Sequence, residues 1–170
     1  MLEKKAVAAL LLPFLLLFFS ACTPVSEADE PDLFRYEGAS VGNNSAIVNT
    51  VIHLPGTEHF TGIKLETKQQ PYGIILAYDW SESSLSHKET AVYNATYLFT
   101  LIDNVDWIQF DFDTGSDMKQ YRLTREQLEE WYGVELAGIN EEDGLKELLK
   151  SSFEKEKKLD ELLLKSPNQQ

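Results

Sequence analysis

Val105-Asp106-Trp107-Ile108-Gln109-Phe110-Asp111-Phe112 changes character from one residue to the next. Successive side chains of a strand point to opposite faces, so Ile108, Phe110 and Phe112 share one face and Val105, Trp107 and Gln109 the other. The run predicts a half-buried strand with Ile108, Phe110 and Phe112 toward the core. Thr114-Gly115-Ser116 then reads as a tight turn and Met118 to Leu123 as the return strand of a hairpin. Upstream, Ile63, Leu65 and Thr67 alternate with Lys64, Glu66 and Lys68, Gln70-Pro71-Tyr72-Gly73 turns the chain, and Ile74 to Trp80 reads as an antiparallel partner.

Helical signals flank both hairpins. Gly42-Asn43-Asn44-Ser45 supplies cap residues before Ala46, Ile47, Val51 and Ile52, which share one helical face, and Pro55-Gly56 stops that helix. Ser86-His87-Lys88-Glu89 has the spacing of a capping box, with Glu89 reaching back toward the Ser86 amide. Behind it Ala91, Ala95, Leu98, Phe99 and Ile102 recur at three and four, an amphipathic helix. Thr124 caps a third helix, with Gln127 at the reciprocal position, Trp131 and Tyr132 on it and Gly133 ending it. From Gly144 onward Leu145, Leu149, Phe153, Leu159 and Leu163 mark a C-terminal amphipathic helix rich in Lys and Glu. The order helix-strand-strand-helix-strand-strand-helix predicts α+β: a small antiparallel sheet of two hairpins covered by helices, plus the C-terminal helix.

The N-terminal stretch reads as an export signal. Lys4 and Lys5 precede a 14-residue apolar run, Ala6 to Phe19, and Ser20-Ala21-Cys22 follows. A membrane-spanning helix needs about 20 apolar residues to cross roughly 30 Å of hydrocarbon, and Pro13 interrupts this shorter run. Phe19-Ser20-Ala21-Cys22 resembles the lipobox cut by the lipoprotein signal peptidase, with Phe19 where Leu, Val or Ile is usual. The alternative is ordinary secretion with cleavage after Ala21 and a free thiol. Cys22 is the single cysteine, so no internal disulfide can form, and acylation gives a lone exported thiol its reason. Two acyl chains, each buried methylene adding about 0.8 kcal/mol, suffice for stable anchoring where one is marginal. Thr23 to Asp32 holds two prolines, four acids and one aliphatic residue, an acidic tether. The expected division is a signal peptide over 1–21, a tether over 22–32, an α+β domain over 33–135, and the C-terminal amphipathic helix and tail over 136–170.

Charge narrows the partners. Twenty-eight acidic residues against 15 basic ones give a formal net charge of −13. Nucleic acid is excluded, because binding it requires clustered Lys and Arg against phosphates. A cationic partner, a metal ion or plain solubility remain.

Several segments together resemble the domain-of-unknown-function 4825 family. They are Tyr36-Glu37-Gly38, Val41-Gly42-Asn43-Asn44-Ser45, Leu54-Pro55, Pro71-Tyr72-Gly73 and Asn94-Ala95 with Leu98-Phe99. Leu101-Ile102-Asp103-Asn104-Val105, Thr124-Arg125-Glu126 with Leu128, and Trp131-Tyr132-Gly133 complete the set, over roughly Asp32 to Val134. The resemblance implies exported lipoproteins of spore-forming and related Gram-positive bacteria, and company with membrane metallopeptidase sensors resembling the β-lactam receptors. It implies no activity and no catalytic residues.

Three motifs look chemical. Asp113-Thr114-Gly115-Ser116 resembles the aspartic-protease loop, but that mechanism needs a second carboxylate about 3 Å away, and no second such triplet occurs. A hairpin turn, with Asp113 accepting backbone hydrogen bonds, is the plainer reading. Asp111, Asp113 and Asp117 resemble a calcium loop, yet counted from Asp111 the sixth residue is Ser116 and the twelfth is Arg122, where an EF-hand wants Gly and Glu. An exposed calcium site on these three stays as the alternative to a plain turn. His53, Glu58 and His59 are broken apart by Pro55-Gly56 and His87 stands by itself, so zinc is not expected. Asn43, Asn44 and Ser45 at a helix start offer N–H groups to an anion or carbonyl, or simply cap their own helix.

The expectation is therefore a non-enzymatic binding or regulatory module without cofactor, held at the outer face of the cytoplasmic membrane by lipid on Cys22, with another envelope protein as a possible partner. The alternatives are a cell-envelope enzyme using the acidic turn around Asp113, and a structural lipoprotein acting through its C-terminal helix.

Overall fold

Four strands line up in the order β1-β2-β3-β4 in the computed structural model, which describes residues 31–153 and 156–164. The leader over 1–21, Cys22 and the tether as far as Glu30 lie outside the described residues. β1 (Phe60–Glu66) pairs antiparallel with β2 (Gly73–Asp79), and β3 (Trp107–Asp113) pairs antiparallel with β4 (Met118–Thr124). Both hairpins expected from the alternation are present. Between them the sheet is not antiparallel: β2 and β3 run parallel, Leu76 opposite Phe110 and Tyr78 opposite Phe112, so the sheet is mixed. The reason lies in the connection. Parallel neighbours need a crossover of a dozen or more residues, and α2 (His87–Leu101) provides it. Period-2 patterning gives each strand its faces but not the direction of its neighbour.

Ile74, Leu76 and Tyr78 of β2, Ile108, Phe110 and Phe112 of β3, and Tyr121 and Leu123 of β4 are buried on one face, and Ile63 and Leu65 of β1 pack against the same core. α2 lies over this face: the Asn94 amide reaches the Tyr78 hydroxyl, and the His87 ring stacks on Tyr121. It is not the amphipathic helix expected. From Thr90 to Leu101 every residue but Tyr93 is buried, because α1 (Asn44–Val51) and both C-terminal helices pack on it as well. Its buried Thr96 and Thr100 find acceptors within the helix. Thr96 donates to the Val92 carbonyl at 2.7 Å and Thr100 to the Thr96 carbonyl at 2.9 Å. Val105, placed by sequence on the strand's outer face, precedes β3 and is buried.

The expected single C-terminal helix is two, α4 (Glu142–Phe153) and α5 (Glu156–Leu164). Leu145 and Leu149 of the first and Leu159, Leu162 and Leu163 of the second are buried in the one core. The described residues from Asp32 onward accordingly form a single compact unit. α3 (Arg125–Tyr132) begins with the full capping box read from Thr124 and Gln127 and ends at Gly133 in the left-handed region.

Gly73 and Gly56 are each packed against an indole, Trp107 over Gly73 and Trp80 over Gly56, and the approach is tighter at Gly73. A Cβ at Gly73 would fall 2.1 Å from the Trp107 indole, which lies against the backbone and donates to the Pro71 carbonyl at 3.1 Å.

Candidate functional site

The helix start at Asn43-Asn44-Ser45 is occupied by its own residues. The Asn43 side chain accepts from the Ala46 amide at 3.1 Å, capping α1. The preceding loop is tied down by Asn104, whose Oδ1 accepts from the Val41 amide at 2.7 Å, and by a parallel bridge between Ala39 and Ile102. Asn44 and Ser45 are exposed.

The three aspartates of the calcium candidate take three separate sets of partners. Asp111 Oδ1 accepts from Gln109 Nε2 at 2.8 Å and Gln120 Nε2 at 2.9 Å, on the sheet face away from α2. Asp113 Oδ1 accepts from the Gly115 amide at 2.9 Å, and Gly115 supplies the positive φ that the turn needs. Asp117 pairs with Lys119, which holds its carboxyl below the usual carboxylate range. Asp79 lies beside Asp113 in register, and hydrogen bonds from Ser81 hold its carboxyl low as well. Among the described residues no group of three or more His, Cys, Asp or Glu is placed to hold a metal ion.

The histidines are not gathered either. His53 Nδ1 lies 2.7 Å from the Asn49 carbonyl, one turn back along α1. His59 tilts against Trp80, with ring centroids 5.0 Å apart. His87 stacks on Tyr121 and its Nδ1 is 2.9 Å from the Tyr121 hydroxyl. Burial, and then the charges of Lys88 and Lys119, push the His87 imidazole below its ordinary value, while burial raises the Tyr121 phenol to about 12.

Two arrangements escaped the sequence reading. The first is Arg125, whose guanidinium reaches under the C-terminus of α2 and donates to the carbonyls of Phe99 and Ile102, each at 2.6 Å, and of Val105 at 3.2 Å. A helix leaves its last carbonyls without internal partners, and a cation there also meets the negative end of its dipole. Burial lowers the Arg125 ordinary value, with Glu129, Asp103 and Asp106 acting in the opposite direction. No spacing rule points to this use of Arg125, because the carbonyls it caps lie 20 to 26 residues away.

The second is a cleft of about 270 Å³ at the other end of α2. Pro55 and Leu85 line it together with Glu89, Thr90 and Tyr93 from the first turns of α2 and Phe153 from the end of α4. Ser86 accepts from the Glu89 amide at 3.3 Å, the forward half of the expected capping box, and Glu89 is among the residues that line the cleft. Tyr93 stacks on Tyr97 at 5.2 Å and lies nearly parallel to Phe153 at 6.5 Å. Leu85 is held because Trp80 Nε1 donates to its carbonyl at 3.1 Å. Behind the cleft wall, fully buried Asn94 donates to the Pro55 carbonyl at 3.1 Å and to the Tyr78 hydroxyl at 3.3 Å. Its Oδ1 meets no partner among the described residues.

The family model for a domain of unknown function (DUF4825) matches residues 33–124, from the start of the core to the last residue of β4. No curated protein and no solved structure matches the chain. Arg125 and the α3 residues Leu128, Trp131 and Tyr132 lie beyond the matched span, whereas Asn94, Asn104, Pro71 and Gly73 lie within it, each holding two elements together. That match covers more than half of the sequence, and the chain belongs to the DUF4825 family.

Proposed function

We propose that the chain is an exported lipoprotein, held at the outer face of the cytoplasmic membrane by lipid on Cys22, whose folded domain is a non-catalytic binding or regulatory module. The observation that carries the address is the apolar run from Ala6 to Phe19 followed at once by Ser20-Ala21 and the single cysteine. No described helix is long and apolar enough to cross a membrane, so the reading places the burden of attachment on the acyl chains.

The binding role is supported by how the polar side chains are used. Asp113 ties its own turn and Arg125 caps a helix. This weighs against an envelope enzyme built on Asp113. The alternative of a structural lipoprotein gripping a partner through its C-terminal helix is weakened by Leu145, Leu149, Leu159, Leu162 and Leu163, which are buried within the domain. A small acidic domain with an open apolar cleft fits recognition better than chemistry.

Metabolic labelling with a fatty-acid probe tests the address. Wild type should carry label and sediment with membranes, and Cys22→Ala should do neither. Label retained by Cys22→Ala, or a mature N-terminus elsewhere than residue 22, would contradict the reading.

A further inference from the structure

We propose that the cleft beside Pro55, Leu85 and the first turns of α2 is a binding site for a small organic cation, an ammonium group carried on an apolar body. This deepens the reading of the domain as a binding module and rests on it. The cleft volume of about 270 Å³ is close to the lower end of ligand pockets, roughly 300–1,000 Å³. Its walls are mostly apolar: Pro55, Leu85, Phe153 and the ring of Tyr93. Leu85 is 42% exposed, so a large apolar side chain stands at the opening with part of its surface in water.

The charge of the ligand follows from the lining. Glu89 is its charged group, and no lysine, arginine or histidine lines the cleft among the described residues. Glu89 stands one helical turn before Tyr93, a separation that puts both side chains on the same side of α2. The Tyr93 and Phe153 rings lie 14° from parallel with centroids 6.5 Å apart, and aromatic faces attract cations, quaternary and primary ammonium included. A carboxylate beside aromatic faces therefore selects a cation with an apolar portion, and Thr90 adds a hydroxyl within the same lining. An anionic ligand would meet Glu89 directly and, at longer range, a net charge of −13.

The test uses the full chain in nonionic detergent and three probes of one shape: phenethylammonium, neutral 2-phenylethanol and phenylacetate. Amide chemical shifts are followed by NMR during titration. The cation should shift residues 85–93 saturably, the alcohol should bind more weakly, and phenylacetate should leave them unmoved. Glu89→Gln keeps the shape and the backbone bond to Ser86, and it should weaken the cation about tenfold without changing affinity for the alcohol. Phe153→Leu should weaken both. Equal affinity for cation and alcohol, unchanged affinity in Glu89→Gln, or shifts elsewhere in the domain would each overturn the proposal. Lipid attachment at Cys22 is read separately by the labelling experiment, so a cleft that takes no cation leaves the address standing.

Discussion

The two faces of the sheet are made by the same four strands and are held in opposite ways. Beneath α2, Ile74, Leu76, Tyr78, Ile108, Phe110, Phe112 and Leu123 are all but inaccessible to water. They pack as one body, with Tyr78 and Phe112 stacked at 5.1 Å and Trp80 edge-on to Phe112 at 4.8 Å. On the opposite face, residues one position along are half-exposed or exposed and joined in a polar chain: Arg122 to Gln109 at 3.0 Å, Gln109 to Asp111, and Gln120 to Asp111. Apolar burial beneath the helix contributes about 25 cal/mol per Å² removed from water, whereas hydrogen bonds on the open face exchange with water for little net gain. Stability therefore belongs to one face, and the other is free to vary in charge and shape.

The sharpest way to break this contrast is to truncate neighbours in β3. Phe110→Ala removes a fully buried ring between Leu76 and Tyr121 in register and should lower unfolding free energy by about 3–5 kcal/mol. Gln109→Ala, one residue away on the open face, should cost no more than about 0.5–1 kcal/mol. Denaturant unfolding followed by circular dichroism reads both. A comparable loss in the two variants would mean that the open face is covered in solution.

Arg125 belongs to neither face, yet it closes the covered one by holding the end of α2. Arg125→Met keeps the length of the side chain and strips the donors from Phe99, Ile102 and Val105 carbonyls. Hydrogen bonds to charged groups are worth about 1.5–3 kcal/mol, and water can reach part of this site, so a loss of about 2–3 kcal/mol is expected in the same assay. Arg125→Lys should recover only part of it, because one ammonium cannot span the separated carbonyls as the planar fork does. Full recovery by lysine would reduce the role of Arg125 to its charge.

How the sequence led to these faces, and where it stopped, follows from the range of each signal. Alternation identified Ile108, Phe110 and Phe112 as core-facing, and cap chemistry identified Asn43, Ser86 and Thr124 as helix starts, because both effects act within a few residues. The parallel pairing of β2 with β3 joins residues 34 positions apart, as Gly73 with Trp107, and no local pattern encodes it. α2 misled for a related reason. Thr96 and Thr100 fall outside the apolar stripe of Ala91, Ala95, Leu98, Phe99 and Ile102, but each donates to the carbonyl four residues back and so is satisfied inside the core. The cleft was illegible because Pro55, Glu89 and Phe153 meet only after three elements pack.

The covered face also carries ionisable groups, and high pH sharpens the contrast. The Tyr78 phenol is raised by burial from an ordinary 10.0 to about 12, with the Asn94 hydrogen bond acting in the opposite direction. Its folded value exceeds its unfolded one, so the stability it contributes is whole below pH 10 and is lost as pH climbs through 12. Two units correspond to about 2–3 kcal/mol at the top of that window. Tyr78→Phe should be less stable near neutrality, since Asn94 loses a partner, and should fall less steeply between pH 10 and 12. Parallel curves for the two proteins would show that Tyr78 reaches water.

The smallest expected effect lies on the open face. The Arg122 guanidinium sits 4.0 Å from the centroid of the Trp107 ring, which itself covers Gly73. A double-mutant cycle with Trp107→Leu and Arg122→Gln isolates the pair, and exposed cation–π contacts are worth about 0.5–1 kcal/mol. Most of the loss in Trp107→Leu should instead come from the bare backbone at Gly73 and the lost bond to the Pro71 carbonyl. The coupling should therefore be a minor fraction of the single-mutant cost, and it should shrink in high salt because both residues are half-exposed. A coupling above about 2 kcal/mol that ignores salt is the signature of a desolvated pair. It would place a bound partner over this face and end the division of labour between the two sides of the sheet.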